Sequence, residues 1–284
     1  MLTTRNITDV VRLALAEDAP WGDVTSAAFI PEGTMATAAL VAREPGVFSG
    51  GEVFVAAFTE IDPALRVELL VGEGESFGAG TTLATVTGAA RSILGAERVA
   101  LNLVQRMSGI ATQTARYVAA VAGTAARVVD TRKTTPGLRA LERHAVRCGG
   151  GHNHRFSLSD AVLAKDNHLA VLTAGGRSLT EAIRDVRAGL SHTTHLEVEV
   201  DRLDQIEPVL EGGVDTIMLD NFTLDELREG VALIAGRALI EASGNVSLET
   251  IGSIAQTGVD IISVGALTHS VRALDLGLDI VVGA

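Results

Sequence analysis

The chain has 284 residues, a net charge of −12, and 47% apolar but only 3% aromatic residues, so its core is built from Ala, Val, Leu and Ile, which suits parallel strands covered by helices on both faces. The acidic balance argues against a general nucleic-acid binder, whose phosphate contacts need a basic surface, and the single cysteine, Cys148, excludes an internal disulfide framework and fits a reducing compartment. No apolar run approaches the ~20 residues of a membrane span, and residues 1–17 hold no signal-peptide core, so a cytoplasmic protein with no membrane contact is expected.

Residues 6–17 predict an amphipathic helix, followed by a turn-rich stretch at 18–23. Apolar segments at 36–42 and 65–71 read as strands, and the Gly-rich 72–88, with 83–86 inside it, reads as hairpins. From about 89 to 122 the residues Ile93, Val99, Val104, Met107 and Ile110 follow helical spacing, with Ser108 and Gly109 expected to mark a kink or break. The sequence then becomes rhythmic. Short apolar strands at 127–133, 161–167, 195–201, 216–222, 239–244 and 261–266 end in polar residues, and each is followed by a candidate helix. Two of these helices open with capping-box signatures, Ser178 with Glu181 and Thr223 with Glu226. The fold class is α/β: a β/α barrel with six clear strands, in which either one or two strands are cryptic or the barrel is incomplete, preceded by a compact N-terminal α+β unit. The expected division is residues 1–111 for the first domain and 112–266 for the barrel, with 267–284 packing back on the first.

Barrels of this kind place chemistry at the carboxyl ends of their strands. The strongest local signal is Thr131-Arg132-Lys133, a strand end with adjacent cations closed by a Pro-Gly turn. Arg offers a planar fork for carboxylate or phosphate and Lys a mobile point charge. The stretch 149–155 permits close backbone approach at its three glycines and adds His154 and Arg155. Its His-x-His pair could also ligate zinc, although no third ligand stands at a telling spacing. Lys165 ends an apolar strand, where it would be costly without an anion; a Schiff-base role is the alternative. Glu199 and Asp220 are matching acids, able to accept from ribose hydroxyls, hold Mg2+ through water or offset charge at a sugar carbon. A glycosidase pair is their alternative reading, and ion pairing with Lys165 or Arg132 the structural one. The loops Ser243-Gly244-Asn245 and Val264-Gly265-Ala266 end the last two strands, where barrels commonly cup a phosphate.

With these stretches, and with Glu97-Arg98, Leu101-Asn102, 108–112, 165–168, 197–201, 219–221 and 264–268, the chain resembles quinolinate phosphoribosyltransferases over nearly its whole length. The resemblance implies an N-terminal α/β sandwich on an open, roughly seven-stranded barrel. It implies quinolinate and phosphoribosyl pyrophosphate as substrates, Mg2+ as cofactor, and nicotinate mononucleotide, pyrophosphate and CO2 as products in NAD biosynthesis. It further implies a homodimer in which Arg98 reaches the neighbouring subunit's site. Arg98, Arg132, Arg155 and Lys165, with His154, would hold the quinolinate carboxylates. Lys133 and the loops 243–245 and 264–266 would hold phosphates, while Glu199 and Asp220 face the ribose and Mg2+ through water or substrate. Catalytic roles fall to Lys133, Lys165, Glu199 and Asp220, with Thr131 among the substrate-binding residues. Asn245 departs from the family's usual Gly. The remaining alternatives are a nicotinate phosphoribosyltransferase and a non-catalytic anion-binding barrel.

Overall fold

A computed structural model describes residues 2–282 as two compact units. The first gathers Met1–Ala115, Thr134–Gly150 and Leu267–Ala284; the second gathers Arg116–Lys133 and Gly151–Ala266. Residues 1, 283 and 284 lie outside the described residues.

In the first unit, helix α1 (Thr4–Asp18) starts where Thr3 Oγ1 accepts from the Asn6 N–H and the Asn6 side chain returns to the Thr3 N–H. This exchange satisfies two amides at the helix start. Asp23 caps α2 (Val24–Phe29) in the same way, accepting from the N–H groups of Thr25 and Ser26. Strand β1 (Met35–Ala42) buries Ala36, Ala38, Leu40 and Ala42 at a period of two. After β2 (Gly46–Val47), helix α3 (Gly51–Ile61) buries Phe54 and Phe58, whose rings meet edge to face at 4.9 Å. Strands β3 (Arg66–Leu69), β4 (Ser76–Phe77) and β5 (Thr82–Ala89) follow, with β5 lying antiparallel between β1 and β3.

Helix α4 (Ala90–Ala120) is continuous through Ser108 and Gly109, so the expected kink is absent. Both residues are there for close contact. Ser108 Oγ accepts from the Ser49 N–H and donates to the Ser49 carbonyl, each at 3.1 Å. A side-chain carbon at Gly109 would collide with the Arg272 carbonyl oxygen. Small residues that look like helix breakers therefore serve a backbone passing against the helix.

Beyond β6 (Arg127–Val129), helix α5 (Arg139–Cys148) clusters with the first unit, unlike the expected assignment of 112–266 to one domain. Its bonds explain the grouping: Glu142 accepts from Arg106, and His144 and Cys148 meet Glu73. The second unit continues with β7 (Val162–Ala164), α6 (Asp166–Thr173), α7 (Leu179–Gly189), β8 (Leu196–Val200), α8 (Ile206–Glu211), β9 (Thr216–Asp220), α9 (Leu224–Ile234), β10 (Leu239–Ser243), α10 (Ile251–Ala255) and β11 (Ile261–Ser263). The predicted caps form: Ser178 Oγ accepts from the Glu181 N–H, and Thr223 and Glu226 make a reciprocal box. The six strands make one parallel sheet in the order β6-β11-β10-β9-β8-β7. Strands β6 and β7, consecutive in this sheet along the chain, stand at its opposite edges, as an open barrel requires. A lone parallel bridge from Val129 to His152 marks where a further strand would begin.

The chain then leaves the barrel through α11 (Ala266–His269) and ends in β12 (Leu276–Val282), which pairs antiparallel with β1 from Ala42↔Leu276 to Ala36↔Val282. The tail thus packs on the first unit. Among the described residues no helix is long and apolar enough to cross a membrane.

Candidate active site

Strand pairing alone assembles most of the site. Parallel registers put Leu163 beside Glu197, Glu199 beside Met218, Met218 beside Glu241, and Asp220 beside Ser243. Because side chains alternate along a strand, Glu197 and Glu199, Met218 and Asp220, and Glu241 and Ser243 are same-face pairs. Along each strand the first member lies deeper and the second nearer the carboxyl end. Glu197 and Glu241 are accordingly buried, while Glu199 and Asp220 are half-buried.

The loop carrying His154 and Arg155 is held by the buried Asp130 at the end of β6. Asp130 accepts from Asn153 Nδ2 at 2.6 Å and from the His154 N–H at 2.8 Å, and His152 N–H donates to Val128 O at 2.8 Å. Those bonds turn His154 inward. Its Nε2 lies 3.1 Å from Glu197 Oε2 and 3.4 Å from Glu241 Oε2. The other oxygens of both acids, Oε1, have no hydrogen-bond partner among the described residues. Burial pulls the imidazole down, but the bonds to Glu197 and Glu241 outweigh it and raise its pKa to about 10. Burial, together with repulsion from Glu241, pushes the Glu197 carboxyl up, against the bond from His154. His154 Nδ1 lies 2.7 Å from the Arg155 backbone nitrogen, so both ring nitrogens face protein groups.

Two cavities open at the strand ends. One, of about 540 Å³, meets Lys133, Asp220, Asn221 and Ser243–Gly244–Asn245, with Thr131 and His154 also on its wall. The other, of about 560 Å³, lies against the apolar side chains of Leu158, Leu169 and Leu172. Arg132, Arg155 and Lys165 line both, so three cations occupy the wall the cavities share. Arg155 is half-buried with Nη1 donating to Ala161 O at 3.0 Å. Burial, and then the neighbouring Arg132, pulls its guanidinium below the usual value, an electrostatic strain that an anion relieves.

Lys165, at the start of α6, is ion-paired with Glu199. Asp220 accepts from Asn221 Nδ2 at 2.7 Å, and Asn221 in turn accepts from Asn245 Nδ2 at 3.2 Å. Asn221, Gly244 and Asn245 all take positive φ, at 59°, 94° and 50°. A side chain at Gly244 would collide with Asn221, so glycine is required there, whereas Asn tolerates the left-handed region at 245. The Asn-for-Gly departure thus costs the loop little.

Not every expected residue gathers here. Arg98 lies in the first unit, exposed on α4. Of the 264–266 loop, Val264 is buried and bonds its N–H to Val129 O, while the neighbouring Ser263 lines the 540 Å³ cavity. His154 has both ring nitrogens engaged by protein groups, which fits it to position its neighbours more than to grip a substrate carboxylate. The sequence assigned no role to Glu241 or Asn221 and left Glu197 open, because it shares parity with Glu199. The signal for Glu241 was its place two residues before Ser243 on the same strand face.

Fold and cavities together define a β/α-barrel protein built for small polyanions. The family profile described as "Quinolinate phosphoribosyl transferase, N-terminal domain" matches residues 23–108, and "Quinolinate phosphoribosyl transferase, C-terminal domain" matches 110–279. The chain is 47% identical over 278 residues to the nicotinate-nucleotide pyrophosphorylase [carboxylating] of Mycobacterium leprae, covering 96% of each. It superposes on the crystal structure of NadC from Streptococcus pyogenes with a TM-score of 0.94 at 41% identity, covering 100% of this chain and 99% of that one. For the nicotinate-nucleotide pyrophosphorylase from Francisella tularensis the TM-score is 0.92 at 35% identity, over 99% and 98%. The chain belongs to the quinolinate phosphoribosyltransferase family.

Proposed function

We infer that this enzyme joins the ring nitrogen of quinolinate to the ribose of phosphoribosyl pyrophosphate, releasing pyrophosphate and CO2 and yielding nicotinate mononucleotide for NAD biosynthesis. The observation that carries the reading is the wall of Arg132, Arg155 and Lys165 between two cavities, with carboxylates and a glycine loop on one side. A dicarboxylate needs that many cations. The match of both family profiles favours it over the single-carboxylate and non-catalytic alternatives.

In this reading Arg132, Arg155 and Lys165 hold the carboxylates, while Lys133, Ser243, Gly244 and Asn245 receive phosphate oxygens, with 264–266 beside them. Asp220 and Glu199 stand where the ribose carbon gains positive charge as its bond to pyrophosphate breaks. Lys165 leaves Glu199 when a substrate anion offers it another partner. The oxygen donors of Asp220 and Glu199 fit Mg2+, a hard cation commonly held by one or two carboxylates and substrate phosphates; when bound it would neutralise charge on the departing pyrophosphate. After the ring nitrogen bonds to the ribose carbon, the cationic ring accepts the electron pair of its adjacent C–carboxylate bond. CO2 leaves, and the ring carbon takes a proton.

A homodimer in the cytoplasm accompanies this reading. Supporting it are Arg98, exposed and without an ion pair among the described residues, and the exposed apolar Trp21, Val24 and Phe29. The test is a mass balance on the purified chain with quinolinate, phosphoribosyl pyrophosphate and Mg2+. Nicotinate mononucleotide and CO2 are expected in equal amounts, and light scattering of the same sample should give the mass of two copies. Quinolinate bound but never consumed would overturn the reading.

The raised pKa of His154 gives a pH signature. The protonated imidazole persists below about 10 and is lost as pH rises through that value. In Glu241→Gln one raising partner is gone, so the alkaline limb of kcat/KM should move down toward the ordinary histidine range of about 6.5. A limb that stays put would remove the cluster from the mechanism.

A further inference from the structure

The first unit gathers three metal-ligating side chains that the reaction above does not use. His144 and Cys148 lie four residues apart on α5, so they share one helix face. Glu73 comes from the loop between β3 and β4. His144 Nε2 is 3.0 Å from Glu73 Oε2, Cys148 Sγ is 3.1 Å from the same oxygen, and Cys148 Sγ is 3.4 Å from His144 Nε2. One sulfur, one imidazole nitrogen and one carboxylate oxygen thus form a near-equilateral triangle.

We propose that Glu73, His144 and Cys148 form a binding site for a zinc-class divalent ion. The ligand chemistry is the mixed S, N, O set that zinc accepts, and three protein ligands leave a fourth tetrahedral position for water. Bond lengths of about 2.0–2.3 Å to such an ion put ligand atoms of a tetrahedron roughly 3.3–3.8 Å apart. The observed triangle is a few tenths of an ångström tighter, as expected where direct hydrogen bonds stand in for the ion. It opens to the metal spacing with small side-chain rotations.

The site is also supported from behind. Glu73 Oε1 accepts from the Gly50 N–H at 2.9 Å and the Gly51 N–H at 2.6 Å, at the start of α3. Backbone donors of this kind fix the orientation of a ligating carboxylate. Burial raises the Glu73 carboxyl, but bonds from His144, Cys148 and Gly51 outweigh it and bring its pKa to about 2. Bonds to Cys148 and then to Glu73 raise His144 to about 10. Metal ions bind the deprotonated forms of His and Cys, so affinity should rise with pH.

The experiment is a titration of the tag-free, chelator-treated chain with Co2+ in buffer containing excess Mg2+. A thiolate-to-cobalt charge-transfer absorption should grow and saturate at one ion per chain, and Zn2+ should abolish it. Cys148→Ser should lose the absorption. His144→Ala and Glu73→Gln should bind Co2+ more weakly by at least about tenfold. No absorption in the wild type, or the same affinity in His144→Ala, would overturn the proposal. Should Cys148→Ser fail to fold, His144→Ala, at a half-buried position, decides the matter. The readout is independent of catalysis, so it stands or falls apart from the proposed reaction.

Discussion

Arg155→Ala is expected to lower kcat/KM for quinolinate by about 100- to 1,000-fold. The guanidinium stands on the wall common to both cavities, half-buried and beside Arg132. Truncating one member of a desolvated, hydrogen-bonded charge pair costs about 2–5 kcal/mol, and each ~1.4 kcal/mol is tenfold in rate. Arg155→Lys should recover little of this, because an ammonium cannot reproduce a two-point fork on a carboxylate. Arg155 also donates to Ala161 O, so thermal unfolding of the variant must be followed alongside kinetics. A well-folded Arg155→Ala chain within fivefold of wild type would show that quinolinate is held elsewhere.

The second large effect is on stability. Arg106→Ala is expected to destabilise the first unit by about 3–5 kcal/mol, the usual consequence of removing one partner from a buried ion pair. Glu142 is 1% exposed and receives Arg106 Nε at 2.8 Å and Nη2 at 2.6 Å. The same Nη2 reaches Thr135 Oγ1 at 2.6 Å and Thr268 O at 3.1 Å, tying α4 to the segment before α5 and to α11. Urea unfolding of the variant measures the loss. The double change Arg106→Met with Glu142→Leu should recover much of it, since an apolar pair leaves no charge buried. A loss below about 1 kcal/mol for Arg106→Ala would show that Glu142 keeps adequate partners without it.

Much of this architecture was readable in the residues, and the lapses have identifiable causes. The six barrel strands were placed by their apolar runs, yet each is shorter than its run. Strand β6 stops at Val129, while the pattern continued to Lys133. A ladder extends only where a neighbour presents amides in register, and beyond that point the residues turn into the site. The helix caps at Ser178 and Thr223 were legible because capping is local. The continuity of α4 was not, because Gly109 answers to Arg272, far along the chain. The cations and strand-end acids stood out because charge at a strand end is conspicuous. Glu241 sat inside an apolar strand, where no local pattern tells an inward acid from an outward one, and its meaning came only with His154 opposite. Cys148 gave no sign of a ligand role, since nothing near it in sequence announces Glu73.

The pairing of β12 with β1 joins Leu40 to Leu278, and this has a consequence for how the protein is made. On the ribosome β1 emerges long before its edge partner has been translated, so the first sheet waits with one side unpaired. Contacts so distant in sequence carry a large loop-closure cost and form slowly. Barrel strands β7 to β11 pair with near neighbours in sequence and have no such wait, whereas β6 waits for β11. The nascent chain therefore passes through a stage in which the edge of β1 is bare, the stage at which chaperone engagement and edge-to-edge aggregation would act.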